Sequence, residues 1–110
     1  MIKDKIVRVK LRKRYHEQKP MHYVGKVTGF SEEWVILHAK GLMLSRSQPN
    51  GVQIDAKPSA MMIPRDNIDS IRLLPDTFDI NAIKITTEGQ QIRMVVDGAQ
   101  DALLGEMGEG

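Results

Sequence analysis

The chain has 110 residues, is 41% hydrophobic and 27% charged, and carries a formal charge of +2. That composition suits one soluble domain with a modest core, built on aliphatic residues and seven Met because only 5% is aromatic. Cysteine is absent, which excludes a disulfide framework, a thiolate zinc site and a Cys nucleophile. No apolar run approaches the roughly 20 residues that span a membrane as a helix. The opening Met-Ile-Lys-Asp-Lys has no leader pattern, so a cytoplasmic location and no membrane partner are expected.

Charge is unevenly placed. Residues 1–46 hold eleven Lys/Arg against four Asp/Glu, whereas residues 47–110 hold five against ten. Such asymmetry reads either as a basic face for a polyanion or as two solvated surfaces of one domain.

Residues 5–12 alternate, with Val7, Val9 and Leu11 on one face and Arg8, Lys10 and Arg12 on the other, which predicts a half-buried strand. Positive charge continues through Lys13 and Arg14, and residues 15–20 read as a loop ending at Pro20. Arg8, Lys10, Arg12, Lys13 and Arg14 form a candidate basic face for a phosphate backbone, flanked by Tyr15, His16, His22 and Tyr23 as candidate stacking partners. The alternative is an edge strand charged against aggregation.

A second strand spans 21–30, interrupted by Gly25 and Gly29, where a sheet bends sharply. A polar turn at Ser31-Glu32-Glu33 leads to a third strand over 34–40, which Leu42-Met43-Leu44 can extend past Gly41. Pro49-Asn50-Gly51 marks a turn, with Val52 and Ile54 as a short arm of a hairpin. The fourth strand is 60–63, stopped by Pro64, and the fifth is 68–74, stopped by Pro75.

Beyond residue 75, Ile83 and Ile85, then Ile92, Met94 and Val96, predict a β-hairpin at about 82–97 around Glu88-Gly89. Asp97, with Gln100 three residues on, reads as the cap of a short helix that would align Ala99, Ala102, Leu103 and Met107. Residues 98–110 are thus expected as a short helix or a frayed tail. The expectation is an all-β fold. Residues 1–75 would form a small, strongly bent five-stranded barrel, and residues 76–110 an extension packed on it or on a neighbouring subunit.

Two stretches carry a family resemblance. Gly25, Val27 and Phe30, the turn Ser31-Glu32-Glu33, then Trp34-Val35-Ile36-Leu37 resemble the first motif of Sm-like (LSm, Hfq-type) proteins. Ile63-Pro64-Arg65-Asp66-Asn67-Ile68 is similar to the Ile-Arg-Gly-Asp-Asn-Ile that ends the second motif, with Pro64-Arg65 in place of Arg-Gly. The resemblance covers roughly residues 5–75. It implies a homo-oligomeric ring of about five to seven subunits that pair their edge strands. It also implies single-stranded RNA binding, as a chaperone or scaffold, at turns lining a pore. Glu33, Trp34, Arg65, Asp66 and Asn67 fall on those turns.

Each of these residues also has a plainer role. Trp34 can pack at a rim or interface, Arg65 can pair within its own turn, and Asp66 and Asn67 are good turn formers. Acidic Glu32, Glu33 and Asp66 near a pore would repel phosphate, which leaves open an assembly module without RNA. A weaker alternative is an SH3-like peptide adaptor. No nucleophile triad, phosphate loop or metal spacing stands out, and His16, His22 and His38 are scattered. No enzyme, metal or cofactor is expected.

Overall fold

The computed structural model describes residues 2–107. The chain is mostly β, in antiparallel sheets. The strands are β1 (Ile6–Leu11), β2 (Met21–Phe30), β3 (Trp34–Leu44), β4 (Val52–Ile54), β5 (Ser59–Pro64), β6 (Ile68–Leu73), β7 (Ile85–Glu88), β8 (Gln91–Met94) and β9 (Ala102–Glu106). Single 3-10 turns lie at Arg65–Asn67 and Ile80–Ala82. Among the described residues, no helix is long and apolar enough to cross a membrane.

The first sheet runs β4-β3-β2-β1-β6, with β5 pairing a different stretch of β3. Strand β3 is long enough to serve both. Trp34 to Ala39 pair with β5, and Leu42 to Leu44 pair with β4. At the change of partner, the Gly41 amide donates to Asp55 Oδ2 at 2.8 Å and the Asp55 amide donates back to the Gly41 carbonyl at 3.0 Å.

The sheet bends where the glycines stand. A Cβ on Gly25 would lie 2.2 Å from the His38 carbonyl oxygen and 2.5 Å from Ala39 Cα, so only glycine lets β2 approach β3 there. A register shift follows between Val27 and Gly29. Bending brings both ends of the sheet over one cluster. Val7, Val9, Val27, Val35, Leu37, Ala39 and Ile63 are buried together, and Ile68 and Ile71 of β6 pack on them.

The opposite face of the sheet is also covered. Strands β7-β8-β9 form a second antiparallel sheet. Its Ile92, Met94, Ala102 and Leu104, with Val96 just beyond β8, share a core with Val24, Leu42, Leu44, Val52 and Leu74. Fully burying a side chain such as Leu104 contributes about 1.5–3 kcal/mol. His22 and Lys40, paired with Leu42 and Val24, are buried on this face, and the His22 ring bonds the Leu104 carbonyl through Nε2 at 2.8 Å.

The expected short helix at 98–110 is overturned over its described residues. Ala102–Glu106 is strand β9, paired with β8. Ala102 and Leu104 are buried and Leu103 exposed, a period of two rather than 3.6. Gly98 has φ +80, a left-handed conformation that turns the chain back instead of starting a helix. Residues 108–110 lie outside the described residues.

Candidate nucleic-acid interface

Two turns distant in sequence meet at one end of the first sheet. In the first, the Ser31 hydroxyl accepts from the amides of Glu33 (3.3 Å) and Trp34 (3.1 Å), and the Ser31 amide donates to the Trp34 carbonyl at 2.9 Å. This serine-closed turn fixes the exit of Trp34, whose cross-strand neighbour is Pro64. Trp34 is 36% exposed, and Glu32 and Glu33 are exposed beside it.

The second turn, Arg65–Asn67, follows Pro64 directly. Its Arg65 amide donates to the Glu33 carbonyl at 2.9 Å, which locks the turns together. The Arg65 side chain completes the lock. Nη1 donates to the carbonyls of Ser31 (3.1 Å) and Glu32 (3.2 Å), and the guanidinium carbon lies 4.7 Å from the Phe30 ring centroid. Arg65 is therefore engaged within the site instead of extended into solvent.

The end of the basic strand docks on the same turn. The Arg12 amide donates to the Asn67 carbonyl at 2.8 Å, and Arg12 Nε donates to the Ile68 carbonyl at 3.1 Å. Arg14 Nη2 donates to Asn67 Oδ1 at 2.6 Å and to the Asp66 carbonyl at 3.2 Å. Glu33, Trp34, Arg65, Asp66, Asn67, Arg12 and Arg14 thus form one neighbourhood. Lys10, Arg12 and Lys13 line an adjoining shallow cavity of about 380 Å³ with Asp69, whose Oδ2 is 4.0 Å from Lys10 Nζ.

Arg8 does not join them. It is half-buried under the second sheet and donates from Nη1 to the Leu103 carbonyl at 3.2 Å. The continuous basic face therefore shortens to Lys10, Arg12, Lys13 and Arg14. Among the candidate stacking partners, His22 is fully buried and presents no ring to a ligand, while Tyr15 is 62% exposed.

The sequence places Phe30 and Ser31 in the first motif but does not assign them the contacts they make, nor Asp69 its place beside Lys10. Ser31 closes the first turn, Phe30 carries the Arg65 guanidinium, and Asp69 faces Lys10. A groove of about 550 Å³ also opens between the turns and β6, with Phe30, Val35, Arg65, Ile68, Ile71 and Leu73 in its wall. The serine before two acidic residues was the one available sequence signal, because Ser commonly closes such turns.

No family model, curated protein or solved structure matches this chain.

Proposed function

We propose that this chain is an Sm-like protomer that binds single-stranded RNA on the surface formed by its two turns and the end of its basic strand. The observation that carries this reading is the convergence of the turns: Arg65 bonds the Ser31 and Glu32 carbonyls, with the exposed Trp34 alongside and Arg12 and Arg14 docked on Asn67. An indole face accepts any base at about 1–3 kcal/mol per stack, and neighbouring cations follow the phosphates. The strand order β5-β3-β2-β1-β6 supports the same reading. It leaves β5 and β6 as six-residue end strands, each paired on one side among the described residues. Pairing β5 of one copy with β6 of the next would remove both free edges and close a homo-oligomeric ring of about five to seven subunits. That is the assembly of a cytoplasmic RNA chaperone or scaffold.

Trp34 is the chain's one tryptophan, so its fluorescence reports the site directly. Titration with short U-rich and A-rich oligonucleotides is expected to quench it. For each protomer that the oligonucleotide engages, log affinity should fall with log salt at a slope of up to about −3, because four cations contribute about −0.7 each on a single strand. Unchanged fluorescence together with no binding by anisotropy would remove the RNA reading.

A second reading has its own observation. Arg65 spends its guanidinium on internal carbonyls and on Phe30, while Glu32, Glu33 and Asp66 stand exposed. These features favour an assembly module that keeps the ring without RNA. A ring with negligible, salt-independent oligonucleotide affinity would select this reading over the first.

A further inference from the structure

Arg8 and Arg72 stand directly opposite one another in the antiparallel pairing of β1 with β6. Like charges in such a pair are ordinarily destabilising. Among the described residues neither forms an ion pair with a carboxylate. Arg8 Nη1 donates to the Leu103 carbonyl at 3.2 Å, and Arg72 Nη2 donates to the Gln100 carbonyl. The segment from Gln100 to Leu103 thus lies against both guanidiniums and is held to them through neutral carbonyls.

The nearby carboxylates each have another contact. Asp69 is close enough to act on Arg8 electrostatically, but its Oδ2 is 4.0 Å from Lys10 Nζ. Asp101 Oδ1 accepts from the Val96 amide at 3.0 Å. Two guanidiniums carry ten N–H donors, and the Arg8 Nε is buried without a hydrogen-bond partner among the described residues. Burial, then the facing Arg72 charge, lowers the Arg8 pKa below its usual value, with Asp69 opposing. Cationic charge and unused donors are therefore concentrated at a partly desolvated place.

We propose that Arg8 and Arg72 form an oxyanion-binding site beside the Gln100–Leu103 segment, with Lys10 at its margin, for a phosphoryl group. A tetrahedral phosphoryl group offers several acceptor oxygens and can bridge two forked guanidiniums, which single carbonyls cannot. The group can come from free phosphate or from the backbone of a single-stranded nucleic acid. Arg8 and Lys10 lie two residues apart on the same face of β1, a step of about 7 Å, so a strand leaving the turns past Lys10 could reach the pair. The proposal rests on the arginine pair alone and stands or falls separately from RNA binding at Trp34.

The test is a titration of inorganic phosphate against chloride at matched ionic strength, followed by the arginine Nε–Hε resonances and by Tm. Phosphate is expected to shift the Arg8 Nε–Hε signal saturably in the millimolar range and to raise Tm above the chloride control. Arg72→Gln, at the more peripheral position, is expected to weaken the response at least tenfold. Adding an oligoribonucleotide distinguishes the sources. Displacement of phosphate to a new Arg8 signal indicates a phosphodiester, and retention of the phosphate signal indicates the free anion. Equal responses to phosphate and chloride, or an undiminished phosphate response in a folded Arg72→Gln variant, would overturn the site.

Discussion

The guanidinium of Arg65 lies over the ring of Phe30, 4.7 Å from its centroid, while bonding the two carbonyls that follow that phenylalanine. The residue following Pro64 therefore fastens the end of β5 to the far end of β2. A cation over an exposed aromatic contributes about 0.5–1 kcal/mol, and the two carbonyl contacts are partly offset by water at this exposed position. Arg65→Met is accordingly expected to destabilise by about 1–2 kcal/mol, and Arg65→Lys by somewhat less. Thermal unfolding reads this at roughly 4–8 °C per kcal/mol. An unchanged Tm for Arg65→Met would show that the lock contributes nothing to stability.

Two glycines give different expectations. At Gly25 a Cβ would meet backbone atoms of β3, whereas at Gly89, with φ +61, it would meet nothing within 4 Å. Gly89→Ala should cost only the left-handed strain, about 1–2 kcal/mol. Gly25→Ala should cost at least the upper end of the roughly 1–3 kcal/mol typical of overpacking, because backbone must move. Urea unfolding of the two variants checks the order, and equal losses would contradict the close approach of β2 to β3.

The shared core makes the two sheets interdependent. Leu104 of β9 is 2% exposed and packs with Leu42, Leu44 and Val24 of the first sheet. Leu104→Ala is expected to cost about 2–5 kcal/mol. Because Trp34 belongs to the first sheet, its fluorescence and the overall circular dichroism should still report one coincident transition. A variant in which the fluorescence transition is unmoved would mean that the sheets unfold separately.

Tyr23 predicts an alkaline loss of stability. Burial, and then the Asp55 carboxylate, raise its phenol pKa above the ordinary value near 10. Below that value both folded and unfolded chains keep the proton, and this group has no pH effect. Above it the unfolded chain releases its proton first, so stability falls as pH rises until the folded-state value is passed. Tyr23→Phe should remove this component. Relative to the wild type, its midpoint in urea should improve between about pH 10 and 11 but not at pH 8. Parallel midpoints across that range would exclude the linkage.

The strands were legible because local signals agreed with the fold. Val7 and Val9 alternate with Arg8 and Lys10, Gly25 marks a real close approach, and Pro64 ends β5. What the alternation at β1 could not convey was that its charged face also has a cover. The partner of Arg8 is Leu103, ninety-five residues away, and no local pattern announces such a contact. The end of the chain misled for a different reason. Ala99, Ala102, Leu103 and Met107 share helical spacing, but Ala102 and Leu104 also alternate with Leu103, and pairing with β8 decides for the strand. At the candidate interface, both turns could be read from their own residues. Their mutual fastening through Arg65, and the docking of Arg14 on Asn67, depend on sheet curvature that no short window encodes.

The proposed function is tested most directly by light-scattering mass in solution, with and without a short U-rich or A-rich RNA. An Sm-like RNA-binding ring predicts a mass several times that of one chain. It also predicts an increase on adding RNA that is lost when Trp34→Ala is combined with Arg12→Gln and Arg14→Gln. A monomer whose mass RNA leaves unchanged would contradict both the ring and the interface.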